Sequence, residues 1–160
     1  GIAMIFLLLG SNIGDRSANL ADARKRLHEA LGVAYKESQQ VFFSPEVRTE
    51  AIGFEAPFFL NQIVVFDKLA ITPRKLLQIC QKIEVEMGRE VHQAEYNEEG
   101  ERIYSDRIID IDILAFDDVH CDTKSLTLPH PQVWSRPFVM EMAALLPANI
   151  FMHFQMIVNK

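Results

Sequence analysis

The apolar runs of this chain fall in the order strand–helix–strand–strand–helix–strand–helix. That order predicts an α+β fold, a ferredoxin-like sandwich in which helices pack on an antiparallel sheet. Two features support it. Both early helical stretches carry an apolar stripe on one side, so each has a face to bury against a sheet. The second and third strands follow one another with no helix between them, whereas parallel neighbours need a long crossover. At 160 residues the chain can bury a sizeable core, and one domain is expected over residues 4–160.

Residues 4–9 are a short apolar run ending at Gly10-Ser11-Asn12, which reads as a buried strand followed by a turn. The three residues ahead of Met4 read as a cloning remnant and are left out of the fold. Leu20, Ala23, Leu27, Ala30 and Leu31 recur at helical spacing, with Asp15 or Ser17 as N-cap and Gly32 as the stop. The segment Gly10-Ser11-Asn12-Ile13-Gly14-Asp15 lacks the glycine spacing and the lysine of a phosphate-cradling loop, so it reads as a turn and a cap. Residues 33–43 form the second strand, firmest at Val41-Phe42-Phe43. Residues 44–57, with two prolines and Gly53, form a loop, and residues 58–66 the third strand. Asn61 lies within that strand among apolar neighbours. Once buried, its amide needs partners, which are either local backbone or the edge of a flat heterocycle.

Thr72-Pro73 supplies a capping hydroxyl and a proline suited to the first helical position. Leu76, Cys80, Ile83 and Met87 form the apolar face of the helix, and Gly88 ends it. Residues 89–107 show little apolar periodicity. Connections of that length in a compact domain are often lids or binding loops. Residues 107–116 are the next strand, and Asp117-Asp118 a turn. Residues 126–131 are a proline-braced loop. Ser135-Arg136-Pro137 starts a helix over residues 138–146 that Pro147 terminates, and the apolar tail, residues 150–160, receives no assignment.

The strand at 107–116 carries the chemistry. Side chains alternate along a strand, so Ile109, Ile111 and Ile113 share one face while Asp110 and Asp112 share the other. Those two acids start ~6.6 Å apart. Carboxylates inside so apolar a strand are costly unless something positive meets them. Mg²⁺, a hard cation often shared with a phosphate chain, would serve; a pair of solvated acids on an edge strand is the plainer alternative.

Net charge of −6 argues against a general nucleic-acid surface, so an anionic ligand would depend on local arginines or metal. No apolar run is long enough to span a bilayer. Cys80 and Cys121 have neither metal-ligand nor disulfide spacing, and a cytoplasmic location is expected. Arg89, Arg102, Arg107 and Arg136 are candidate phosphate forks, and His130 a candidate donor to phosphate. Asn61, Phe59 and Phe138 could make a flat slot with one polar reader.

Asp106-Arg107-Ile108-Ile109-Asp110-Ile111-Asp112-Ile113-Leu114 resembles the Arg-x-x-Asp-hydrophobic-Asp-hydrophobic signature of the 6-hydroxymethyl-7,8-dihydropterin pyrophosphokinases of folate biosynthesis. Leu9-Gly10-Ser11-Asn12 with Asn19-Leu20, Phe59-Leu60-Asn61, and Ile83-Glu84 with Gly88-Arg89 extend the likeness. So does Leu128-Pro129-His130-Pro131 with Arg136-Pro137-Phe138-Val139. The resemblance covers residues 4–147 and implies a ferredoxin-like fold with pyrophosphoryl transfer from ATP to the pterin hydroxymethyl group, releasing AMP. It implies that Asp110 and Asp112 bind two Mg²⁺ ions, and that Arg89 and Arg107 act as lid arginines. Glu84, Ile113, His130 and Arg136 would hold ATP. Asn61, Phe59, Phe138, Thr49 and Ile52 would hold the pterin. The partners are then small molecules, with no nucleic acid or membrane, and a monomer is expected.

The chain departs from the family pattern at Val91, where a second basic residue is frequent, and at Ser105-Asp106, where Gly-Pro is common. It departs again at Met142-Ala143-Ala144-Leu145, where a proline and a glutamate are often seen. Two further readings stay open on residues alone: a ligand sensor without turnover, and an interaction domain with solvated acids.

Overall fold

The computed structural model describes residues 2–32, 40–50, 57–88, 95–96, 98, 102–103 and 108–160. Strand β1 (Ala3–Ser11) leads through helix α1 (Arg16–Leu31) to β2 (Val41–Phe43), β3 (Val47–Thr49) and β4 (Phe59–Leu69). Helix α2 (Pro73–Glu86), a short ribbon of β5 (Glu95–Tyr96) with β6 (Arg102–Ile103), and β7 (Asp110–Phe116) follow. A second ribbon pairs β8 (Cys121–Asp122) with β9 (Thr127–Leu128). The chain then runs through α3 (Gln132–Ser135), α4 (Pro137–Ala143) and α5 (Ala148–Val158).

The main sheet has the order β2-β4-β1-β7, with β3 also on β4, and every pairing is antiparallel. The β1–α1–β2 crossover leaves a gap one strand wide, and β4 fills it. This is the split βαβ arrangement of the ferredoxin-like fold, and the expected class is borne out. β1 is apolar on both sides because it sits between two neighbours and beneath two layers. Ile5, Leu7 and Leu9 face a core closed by α1 and α2, while Phe6 and Leu8 face a second core lined by residues of α4 and α5.

The helix starts form as read. The Asp15 carboxylate accepts the Ala18 N–H at 3.0 Å, whereas the Ser17 hydroxyl turns to Glu46. Thr72 Oγ1 accepts the Lys75 N–H at 3.2 Å, and Gly88 takes φ +101° just past α2. Gly32 stays right-handed at φ −56°.

Several boundaries move. The loop expected over 44–57 contains β3, a three-residue strand between two prolines, too short to register as alternation. β4 runs on to Leu69. The proline-braced loop includes β9, which pairs with β8 and is followed by a cis Leu128–Pro129 bond. The helix expected over 138–146 is α4, which ends at Ala143, and the short α3 precedes it where no helix is expected. The unassigned tail forms α5. Ala3, left out of the fold on the sequence, opens β1 and is buried. Of the second strand, residues 41–43 are observed, while 33–39 lie outside the described residues.

A bulge lies in the β1–β7 ladder. Phe6 pairs with Ala115 and Leu7 with Ile113, so Leu114 is the extra residue. The alternation expected for β7 therefore holds through Ile113. Leu114 and Ala115 then both face the second core, and Phe116 returns to the first.

Candidate active site

Alternation places Phe59, Asn61, Ile63 and Val65 of β4 on the second-core face, with Gly10 of β1 and Asp110 and Asp112 of β7. Gly10 is paired with Asn61 on one side and with Asp110 on the other. Asn61, Gly10 and Asp110 thus form one row across three strands. At ~4.8 Å per strand, the asparagine and the aspartate stand about 10 Å apart. A Cβ added at Gly10 would lie 3.0 Å from Asn61 Oδ1 and 3.5 Å from the Phe59 ring. A side chain here would crowd the Asn61 amide, and glycine leaves this floor open.

Asn61 is buried, and its amide nitrogen donates to Thr49 Oγ1 at 2.6 Å and, more weakly, to the Val47 carbonyl at 3.4 Å. A main-chain carbonyl can only accept, so this fixes the amide's orientation and leaves Oδ1 toward Gly10. Thr49, expected beside a ligand, here orients Asn61. Ser11 and Asn19, two further polar residues of the motif region, tie the turn after β1 to α1: Asn19 donates to Ser11 Oγ at 3.1 Å and to the Ile13 carbonyl at 2.9 Å.

β7 is the edge of the sheet, so its outward N–H groups need partners. The Glu84 carboxylate, buried at the end of α2, accepts the N–H of Ile111 at 2.9 Å. This is the peptide link between the two aspartates. Glu84 would pass for a solvated helical acid on sequence alone; in the fold it fixes the backbone that presents the acid pair. Burial pushes the nearby Cys80 thiol up, and the charges of Glu84 and Asp112 push it further, so it stays protonated. Ile113 buries its side chain in the first core, away from the aspartates, so only its main chain is on offer to a ligand.

Glu84→Ala is expected to cost ~1–3 kcal/mol, because a buried N–H is left unpaired. Glu84→Gln retains an acceptor and should cost less than half as much. Urea unfolding midpoints of the two variants measure this, and equal losses would show that the bond to Ile111 is not what Glu84 contributes.

His130 closes the far end of β7. Its main-chain N–H donates to the Leu114 carbonyl, at the bulge residue, at 2.8 Å. Its Nδ1 accepts the Gln132 N–H at 3.2 Å, so the neutral ring carries its proton on Nε2. The Gln132 amide in turn donates to Asp112 Oδ2 at 3.1 Å. The Arg136 guanidinium lies 4.5 Å from the centre of the Phe138 ring, stacking two residues expected at different ligands. Asp110, Asp112, His130, Arg136, Phe138, Phe59 and Thr49 are all half-buried. Arg89, Arg107 and Ile52 lie outside the described residues, as does the Arg102 side chain. Gly10 and Gln132 were not singled out by sequence reasoning as site residues. On sequence Gly10 reads as a turn residue and as part of the Leu9-Gly10-Ser11-Asn12 likeness, whereas it lies within β1; Gln132 gives no signal.

The chain matches the 7,8-dihydro-6-hydroxymethylpterin-pyrophosphokinase family over residues 6–147. It belongs to that family. It is 38% identical over 141 residues to the 2-amino-4-hydroxy-6-hydroxymethyldihydropteridine pyrophosphokinase of Porphyromonas gingivalis, covering 86% of each chain. The enzyme of the same name from Bacillus subtilis is 33% identical over 136 residues, 84% of this chain and 72% of the relative. A folate synthesis bifunctional protein of Arabidopsis thaliana is 32% identical over 136 residues, 85% of this chain and 25% of the relative. The resemblance read from the motifs is therefore borne out, and with it the enzyme class: a pyrophosphokinase of folate biosynthesis, transferring a pyrophosphoryl group to hydroxymethyldihydropterin. The pyrophosphokinase match stops at residue 147, one residue short of α5, although α5 contributes Ile150, Phe154, Ile157 and Val158 to the second core.

Proposed function

We propose that this pyrophosphokinase binds ATP and the pterin at the open end of the second sheet face. It transfers the terminal pyrophosphoryl group to the hydroxymethyl oxygen. The pterin oxygen bonds to the β-phosphorus and gives up its proton to solvent, the bond from β-phosphorus to the α–β bridging oxygen breaks, and AMP leaves. The observation that carries this placement is the row Asn61–Gly10–Asp110, with Asp112 beside it. A polar reader and an acid pair share one floor, separated by a residue without a side chain.

The acid pair suits Mg²⁺. Two half-buried carboxylates share a face, and among the described residues no group of three or more His, Cys, Asp or Glu could enclose a metal. Such a pair leaves coordination positions for water and phosphate oxygens, as Mg²⁺ prefers. Two Mg²⁺ ions held by Asp110 and Asp112 would neutralise the triphosphate and polarise the phosphorus under attack.

The protein's remaining part is positioning, which dominates phosphoryl-type transfer. Asn61 Oδ1 accepts from an N–H on the pterin edge, and Phe59 and Phe138 stack on the ring. Glu84 supports the nucleotide site by holding the β7 edge, to which Ile113 adds main-chain groups. His130 donates from Nε2, and Arg136 supplies a planar cation at the nucleotide. Arg89 and Arg107 complete the charge balance, and the 89–107 segment excludes competing water. Thr49 and Ile52 support the pterin side. We place the enzyme in the cytoplasm as a monomer acting on small molecules. Its two cysteines are free, its net charge of −6 opposes nucleic-acid binding, and no described helix is long and apolar enough to cross a membrane.

Incubation with ATP, Mg²⁺ and 6-hydroxymethyl-7,8-dihydropterin should release AMP only when the pterin is present. Release of ADP instead would mean γ-phosphoryl transfer and overturn the assigned geometry.

A further inference from the structure

We infer that Gln132 is a positioning residue for the transfer: its side-chain amide fixes Asp112 so that Oδ2 is committed to the protein and Oδ1 is turned to the cation. The inference rests on the metal reading of Asp112 given above. Gln132 is 7% exposed, and its Nε2 lies 3.1 Å from Asp112 Oδ2. A half-buried aspartate has a broad, roughly two-fold freedom about χ2. One hydrogen bond from a fixed donor removes that freedom.

The donor is fixed because α3 is anchored at its first residue. The Gln132 N–H bonds His130 Nδ1 at 3.2 Å, and the His130 N–H bonds the Leu114 carbonyl of β7 at 2.8 Å. The start of α3 is thereby tied to the strand that carries Asp112, two residues from it. Gln132 joins an expected metal ligand to an expected nucleotide contact through one rigid turn.

The residue type matters. A lysine or arginine here would orient Asp112 but also offset the charge that a cation needs. The neutral amide orients without neutralising, and outer partners of this kind are typically worth 10–100-fold in metal affinity.

The test uses Mn²⁺ as the probe, titrated calorimetrically in the presence of a non-hydrolysable ATP analogue. Gln132→Met keeps the length and burial of the side chain and removes the donor. Mn²⁺ affinity is expected to fall ~10-fold, with pterin affinity and the melting temperature of the ligand-free protein little changed. Wild-type and variant proteins binding Mn²⁺ equally would overturn the role of Gln132 alone. A wild-type protein that takes up no Mn²⁺ would overturn the metal reading and this inference with it. Should the variant fail to fold, amide exchange in the wild type decides. A slowly exchanging Gln132 side-chain proton supports the bond, and exchange at the rate of a free side-chain amide overturns it.

Discussion

Asp112→Ala, and separately Asp110→Ala, is expected to lower turnover at least ~10³-fold, equivalent to ~4 kcal/mol of transition-state stabilisation. Each substitution removes one of two half-buried carboxylates on the same face of β7, and no third acid, histidine or cysteine among the described residues completes a metal-binding group with them. Stability should change far less. Asp112 gives up one bond from the Gln132 amide, worth about 1 kcal/mol, while repulsion between neighbouring acids is relieved. Single-turnover AMP formation alongside thermal melting separates the two effects. A folded Asp112→Ala protein retaining a tenth of wild-type turnover would remove the acid pair from the mechanism. A variant that loses AMP formation while still binding pterin and nucleotide is the expected pattern.

The second large effect is on stability, far from the chemistry. Phe154→Ala should destabilise the protein by ~3–5 kcal/mol, the usual range for emptying a buried phenylalanine site. Phe154 is fully buried in α5, and its ring centre lies 4.8 Å from that of Phe6 on β1. That loss is a large part of the ~5–15 kcal/mol that holds a domain folded, and corresponds to roughly a 10 °C fall in melting temperature. Differential scanning calorimetry measures it. A shift of under two degrees would mean that α5 is an ornament on the sheet and that α4 suffices to cover its second face.

These two predictions sit on opposite sides of what the sequence could reveal. The acid pair was legible because β7 obeys strict alternation from Ile109 to Ile113, which states both the strand and the face. The helix starts at Asp15 and Thr72 were legible because capping is local chemistry. Helix α5 was not. Its residues are apolar on several sides, and Met152 and Met156 are exposed, so no stripe marked it as a helix. Its place is set by a second core whose other half is Phe6, Leu8, Ile63 and Val65, far away along the chain.

The order of the main elements, the family, the reaction class and the acid pair are all readable from the residues alone. Each of these depends on residue type and short-range spacing. How the candidate site is held together emerges only on folding. Asn61 is oriented by Thr49, and the Ile111 peptide by Glu84 from another layer. Asp112 is held by Gln132 from the turn beyond the bulge, and the floor between Asn61 and Asp110 is open because Gly10 lies there. Each contact joins residues 12 to 27 positions apart or sets one strand against another. Local propensity carries no trace of such pairings, because their geometry exists only once antiparallel register and layer packing have fixed which groups meet.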